Sequence, residues 1–150
     1  MTTHTDERVM PYTAQQMYDL VADVKSYPQF LPWVVACRVR EEREIPEGTQ
    51  VDADLIVSFK VFRESFLSRV TMKPVPMTID VEYLEGPFKY LVNNWRFEPR
   101  ADGGCTVHFF VDFEFKSRIL QAAIGVVFNE AMRRIVGAFE ARAGELYGKS

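Results

Sequence analysis

The hydrophobic period of this chain changes once, and late. From Trp33 to Phe115, apolar residues recur at every second position in runs separated by turn signals. From Leu120 onward they recur at three and four: Leu120, Ala123, Ile124, Val127, Ala131, Ile135, Ala138 and Leu146. Six strands followed by one long helix is the pattern this predicts. An earlier strand over 5–10 ends at Pro11, and Thr13 then caps a short helix with Met17, Leu20, Val21 and Val24 on one face. Strands joined by short turns form an antiparallel sheet. Its apolar face needs cover, and only the last helix is large enough to supply it. The expectation is an α+β fold: a curved antiparallel sheet of about seven strands gripping a C-terminal helix, in one domain over 1–150.

Particular positions set the turns. Pro46-Glu47-Gly48, Gly86-Pro87 and Ala101-Asp102-Gly103-Gly104 each close a hairpin. Between Phe59 and Phe62 the apolar phase moves from odd to even numbers, which requires a turn or bulge without a glycine to mark it. Pro28 and Pro32 confine residues 26–32 to about one turn of helix. Gly125, Gly137 and Gly144 lie inside the last helix, where a glycine often marks a close approach.

Composition excludes several classes. The 150 residues carry a net charge of −3, which argues against a basic nucleic-acid face. No apolar run approaches the roughly 20 residues of a membrane span. The N-terminal MTTHTDERVM has no leader pattern, so cytoplasm is the expected compartment. Cys37 and Cys105 are expected as separate thiols, and no cluster of metal-ligand spacing joins them. No nucleophile-elbow, zinc-protease, phosphate-loop or dinucleotide motif occurs. His108 lies between two inward residues and therefore faces outward, while His4 falls in an expected tail. No catalytic and no metal residues are expected.

The aromatic content is high, with 12 Phe, 6 Tyr and 2 Trp. Trp33, Phe62, Phe66, Trp95, Phe97, Phe109, Phe113 and Phe128 share the inward phase and can be either packed core or the wall of a cavity. Three polar residues share it too: Glu64, Ser68 and Asn93. A buried polar group needs a partner, so these three are either paired within the protein or receive the polar end of a ligand. Tyr27, Phe30, Leu31 and Trp33 cluster between prolines, and Phe88 sits by a turn. They form either a cap on the barrel or a lip that enters a membrane interface. The helix start, Ile119 to Phe128, is apolar nearly all round, so it is buried on both sides or touches lipid. The pair Arg133-Arg134 reads as a solvated face, or as a weak attraction for phosphates.

Three segments carry a resemblance. Asp23-Val-Lys-Ser-Tyr-Pro-Gln-Phe-Leu-Pro-Trp33-Val34 resembles the D-V-x-x-Y-P-x-F-L-P-W signature of the coenzyme Q-binding protein family, within the START-like helix-grip superfamily. FKVFRESFLSRV at 59–70 is similar to that family's F-x-x-x-x-E-x-F-x-S-R-V, with Val61 where relatives often show Gly. Asp112 to Ser117 matches its D-F-E-F-K-S, and Leu146-Tyr147-Gly148 its close. The resemblance implies a helix-grip fold and a non-catalytic ubiquinone chaperone that supports respiration. It implies no required cofactor, with ubiquinone as ligand. It favours the cavity over the packed core, so Trp33, Phe62, Glu64, Phe66, Asn93, Trp95, Phe109, Phe113, Ile124 and Phe128 are the expected ligand contacts. Tyr27, Phe30, Leu31 and Phe88 are the expected entrance rim, touching the membrane surface transiently. Implied partners are a prenylated quinone and a respiratory complex or quinone-biosynthesis proteins, with a peripheral place on the inner membrane. Close bacterial relatives of that family are described as ribosome-associated toxins, which makes the ribosome the partner in the alternative.

Overall fold

A computed structural model describes residues 2–59 and 62–148, the side chains of Thr2 and Phe62 excepted. Seven antiparallel strands form one sheet: β1 (Thr2–Met10), β2 (Val34–Ile45), β3 (Gly48–Phe59), β4 (Phe62–Lys73), β5 (Thr78–Glu85), β6 (Phe88–Pro99) and β7 (Cys105–Phe115). Their order is β1-β7-β6-β5-β4-β3-β2, so every hairpin pairs sequence neighbours and β1 closes on β7. Helix α1 (Ala14–Ala22) and a 3-10 turn over Val24–Gln29 link β1 to β2, and helix α2 (Arg118–Tyr147) ends the fold. The expected architecture is the observed one.

Local chemistry explains the boundaries. Thr13 caps α1 in a reciprocal box: the Gln16 amide donates to Thr13 Oγ1 at 3.0 Å, and the Thr13 amide donates to Gln16 Oε1 at 2.9 Å. Ser117 caps α2 by accepting from the Leu120 amide at 3.2 Å. Gln121 Oε1 accepts from the amide of Phe115 at 2.8 Å, tying the helix to the end of β7. The phase change at 59–62 is a hairpin, because Phe59 and Phe62 pair across it. Residues 60 and 61, including the departure at Val61, lie outside those described.

Three expectations need correction. β1 starts at Thr2, so His4 is not in a tail. Its ring lies 6.2 Å from the rings of Phe109 and Phe128, and its Nδ1 is 3.0 Å from Asn129 Oδ1. Val35 shares the alternating phase of Trp33, Cys37 and Val39, yet it is exposed because the β2–β3 register slips between Val34 and Ala36, which turns it outward. Ala123 and Leu146 are exposed on α2, whose buried residues are Leu120, Phe128, Ala131, Val136, Phe139 and Ala143. Of the helix glycines, Gly144 marks a close approach: a Cβ there would meet Tyr12 Oη at 3.3 Å, whereas one at Gly125 would meet nothing.

The outer face of the sheet holds a charge network that alternation alone did not disclose. Asp52 is buried, and it accepts from Arg69 Nε at 2.9 Å and Arg43 Nη2 at 3.0 Å. Asp54, also buried, accepts from Arg40 Nε at 2.6 Å. The guanidiniums cover the carboxylates from solvent while satisfying them. The Arg69 hydrogen bond, then that of Arg43, holds the Asp52 carboxyl below its ordinary value of 3.8 against the opposing effect of burial. A carboxyl lowered by folding stabilises the protein above its unfolded pKa and loses that contribution as pH falls. Chemical denaturation across pH should therefore show Asp52→Asn less stable by about 1–3 kcal/mol at pH 7. The gap to wild type should narrow as pH drops below about 4.

Candidate functional site

The space under the sheet is unevenly filled. At one end α1 packs across β5, β6 and β7, with Met17, Tyr18, Leu20 and Val21 buried there. Phe97, Val107 and Cys105 complete a solid core on that side. Towards the β3–β4 hairpin no second helix lies between the sheet and α2. A cavity of about 270 Å³ opens there. Its walls come from Ala53, Leu55, Val57 and Phe59 on β3 and from Phe66, Ser68 and Val70 on β4. Val81 on β5, Phe88 to Trp95 on β6 and Phe109 to Phe115 on β7 continue them. Ile124, Ala131, Met132, Ile135 and Phe139 of α2 form the roof. A second space of about 90 Å³ adjoins it, sharing Val57, Phe59, Phe66, Phe88, Phe115 and Ile124, and reaches Glu64, Pro87 and Leu120. The two together describe a channel that runs from the solid core to the end of the molecule where α2 starts.

An aromatic box closes the inner end. Phe139 is 2% exposed and meets Tyr27, Phe30 and Trp95 edge-on at centroid distances of 5.4, 5.3 and 5.1 Å. The Tyr27 hydroxyl donates to the Val21 carbonyl. Burial, and then the proximity of Cys37 and Asp23, pushes that phenol well above its ordinary pKa, so it remains a donor. Arg142 lies 5.4 Å over the Phe30 ring and donates to Gln29 Oε1 at 2.9 Å, which seals the outside. Trp33 takes a left-handed backbone, φ 67°, which costs a bulky residue about 1–2 kcal/mol. Its ring then crosses Phe59 at 5.5 Å, on the cavity wall.

The expected contacts divide. Trp33, Phe66, Asn93, Trp95, Phe109, Phe113 and Ile124 all line the main cavity. Glu64 does not: it is exposed and borders only the outer space, because β4 has reached the sheet end there. Phe128 turns towards β7 and β1 instead, packing on Phe113 at 5.0 Å and on His4. The Phe62 side chain lies outside those described. Of the entrance rim expected at Tyr27, Phe30, Leu31 and Phe88, Leu31 and Phe88 are buried and Tyr27 and Phe30 half-buried, a geometry that suits the cap among the two readings. The amides of Phe30 and Leu31 both donate back to the Tyr27 carbonyl, at 3.2 and 2.9 Å, folding the segment under the sheet. Phe88 is buried, stacked on Phe115 at 4.7 Å. Gly86 makes this possible: at φ 149° it passes so near Phe66 that a Cβ would sit 2.6 Å from that residue's own. Residues not anticipated as contacts include Ala53, Val81, Leu91 and Phe115, whose inward phase was plain but whose distance from the helix was not.

A family model described as polyketide cyclase / dehydrase and lipid transport matches residues 10–140. The chain belongs to this family. Within it, Ribosome association toxin RatA of Escherichia coli K12 is 37% identical over 139 residues, 93% of this chain and 85% of that protein. Coenzyme Q-binding protein COQ10 homolog B, mitochondrial, of Xenopus laevis is 34% identical over 149 residues, 97% of this chain and 59% of that protein. The solution structure of an 18 kDa protein from Caulobacter crescentus superposes with a TM-score of 0.82 at 40% identity, over 99% of this chain and all of the other. The resemblance read from residues 23–34, 59–70 and 112–117 thus stands at the level of the family.

The box makes a sharp stability claim. Phe139→Ala removes a fully buried ring shared by three aromatic neighbours, and should destabilise the fold by about 3–5 kcal/mol. Urea denaturation followed by tryptophan fluorescence measures this.

Proposed function

We propose that this protein is a non-catalytic carrier of ubiquinone or a similar prenylated quinone, holding it between the sheet and α2. The observation that carries this reading is the cavity wall. Among the described residues that line the main cavity, the polar side chains are Tyr27, Ser68, Asn93 and the two indoles, with no carboxylate, imidazole, thiol or cation. Such a wall suits a neutral apolar molecule with few polar atoms. It is poorly equipped for general acid–base chemistry, which needs a titratable group within hydrogen-bond reach. The identity with COQ10 homolog B supports the quinone as ligand. Support of respiratory electron transport follows from that ligand.

Exchange with a bilayer fits the outer end of the channel. Ile119 is 77% and Val126 86% exposed, and Ala122 and Ala123 lie exposed between them on the same helix face. The stripe borders Leu120 and Ile124, which line the outer space. Lys116 and Arg118 are exposed at its root and have no carboxylate partner among the described residues. An apolar helix face with flanking cations suits an anionic lipid surface. On this reading the start of α2, rather than the Tyr27–Trp33 segment, meets the membrane. Among the described residues no helix is long and apolar enough to cross a membrane.

The identity with RatA favours a second reading, a toxin that binds the large ribosomal subunit. The charge pattern does not help it. Arg133 and Arg134 both pair with Glu130, at 3.3 and 3.4 Å, and the net charge is −3. Sedimentation with large subunits at physiological salt separates the two: the carrier stays at the top of the gradient.

Mass spectrometry of lipid co-purified from the native host tests the carrier. Wild type should hold a quinone, and Ala53→Phe, which fills the cavity floor, should lose it about tenfold while remaining folded. Absence of quinone from repeated wild-type preparations contradicts the reading. The double change Ile119→Glu, Val126→Glu should cut co-sedimentation with anionic vesicles about tenfold or more. It should leave quinone binding in detergent unchanged.

A further inference from the structure

We propose that Ser68 recognises the polar end of the ligand, donating its hydroxyl to a carbonyl oxygen held deep in the cavity. This rests on the carrier reading and adds an orientation to it: ring inward, tail towards the start of α2.

The starting observation is an unsatisfied group. Ser68 lines the cavity, is 2% exposed, and its Oγ has no hydrogen-bond partner among the described residues. A buried hydroxyl left so is destabilising, and native proteins keep few of them. Three of the wall's other polar side chains, Asn93, Trp95 and Tyr27, are already used. Asn93 Oδ1 accepts from Trp95 Nε1 at 3.2 Å, and its Nδ2 donates to the Phe110 carbonyl at 2.9 Å. The Tyr27 hydroxyl is committed to Val21. Of the two that remain, Trp33 is a half-buried residue, whereas Ser68 Oγ is fully buried and without a partner among the described residues, so it gains most from a ligand.

The sheet also makes room beside it. Ser68 pairs with Ala53 across β3–β4, whereas the flanking inward pairs are Leu55 with Phe66 and Val51 with Val70. Two small side chains side by side leave a depression between bulky rows. On its other side the β4–β5 register slips: Leu67 pairs with Glu85 and Ser68 with Tyr83, leaving Leu84 as an extra residue. Such bulges locally re-aim a strand and recur beside binding sites.

The class of ligand follows. Among the described residues none that lines the main cavity is charged, and this suits a neutral molecule. An acceptor atom on it would take the Ser68 proton, the half of that hydroxyl most costly to leave unpaired. Glu64, the other polar candidate on this strand, is four residues nearer the hairpin, roughly 13 Å away at the strand rise. It is exposed and borders only the outer space. A ring carbonyl at Ser68 with an apolar tail passing Phe66 and Ile124 uses the whole channel.

The test is displacement of the neutral dye N-phenyl-1-naphthylamine by two probes of equal tail, 2-decyl-1,4-benzoquinone and decylbenzene. Dye binding itself verifies that each variant is folded. Ser68→Ala should weaken the quinone about 5–30-fold and leave decylbenzene within about twofold. Ser68→Thr, which keeps the hydroxyl, should recover most of the quinone affinity. The infrared carbonyl stretch of the bound quinone should lie lower in wild type than in Ser68→Ala. Equal quinone affinity in wild type and Ser68→Ala overturns the Ser68 assignment and leaves the carrier reading standing. Equal loss of both probes in Ser68→Ala also overturns it, since that marks a packing defect. Wild type that binds decylbenzene and not the quinone overturns both.

Discussion

Phe139 packs edge-on against Tyr27, Phe30 and Trp95, and this box holds the second half of α2 to the sheet. At its other end the helix is pinned by the Ser117 cap and by Gln121, which accepts from the end of β7. A 30-residue helix fixed at both ends cannot settle into the hollow of a curved sheet. Where α1 intervenes, the hollow is filled. Where it does not, the sheet and helix enclose a cavity. The empty space thus follows from the length of one helix, its two anchors and the short reach of the other.

The same sheet serves two solvents. Its outer face buries Asp52 and Asp54 beneath arginines, so that a charged surface is held in place without exposed apolar strands. The edge strand β2 carries Arg38, Arg40, Glu41, Glu42, Arg43 and Glu44 in close succession, which discourages pairing with another chain. The inner face around the cavity is mostly apolar and aromatic, while β1 brings His4, Asp6 and Arg8 against α2. Polarity alternates along much of β3, β4 and β7, so one sheet separates water from a greasy interior.

Much of this was legible in the alternation of apolar residues. Val51 to Phe59, Phe66 to Met72 and Val107 to Phe115 face inward as their period requires, and the phase change at 59–62 marks the hairpin. Two kinds of information were not legible. Bulges are one: nothing in the alternation from Trp33 to Val39 marks the slip that turns Val35 out. Distance is the other. Phe128 and Phe109 both carry an inward signal and both rings lie 6.2 Å from His4, yet only Phe109 also lines the cavity. Periodicity records the face a residue takes, not how far away the opposing element lies. Glu64 shows the limit from the other side: its phase is inward, but the strand ends before the sheet can cover it. Ala53 and Ser68 carried a faint signal, two small residues in facing strands, that became readable only with the register.

The most direct measurement is the set of nuclear Overhauser contacts between a bound decyl-benzoquinone and the methyl groups of the isotope-labelled protein. Contacts to Leu55, Val81 and Ile135 are the predicted result, because these methyls face the cavity from three different elements. Contacts confined to Val9 or Val75, which are exposed on the outside of the fold, would contradict a carrier that holds its ligand between sheet and helix.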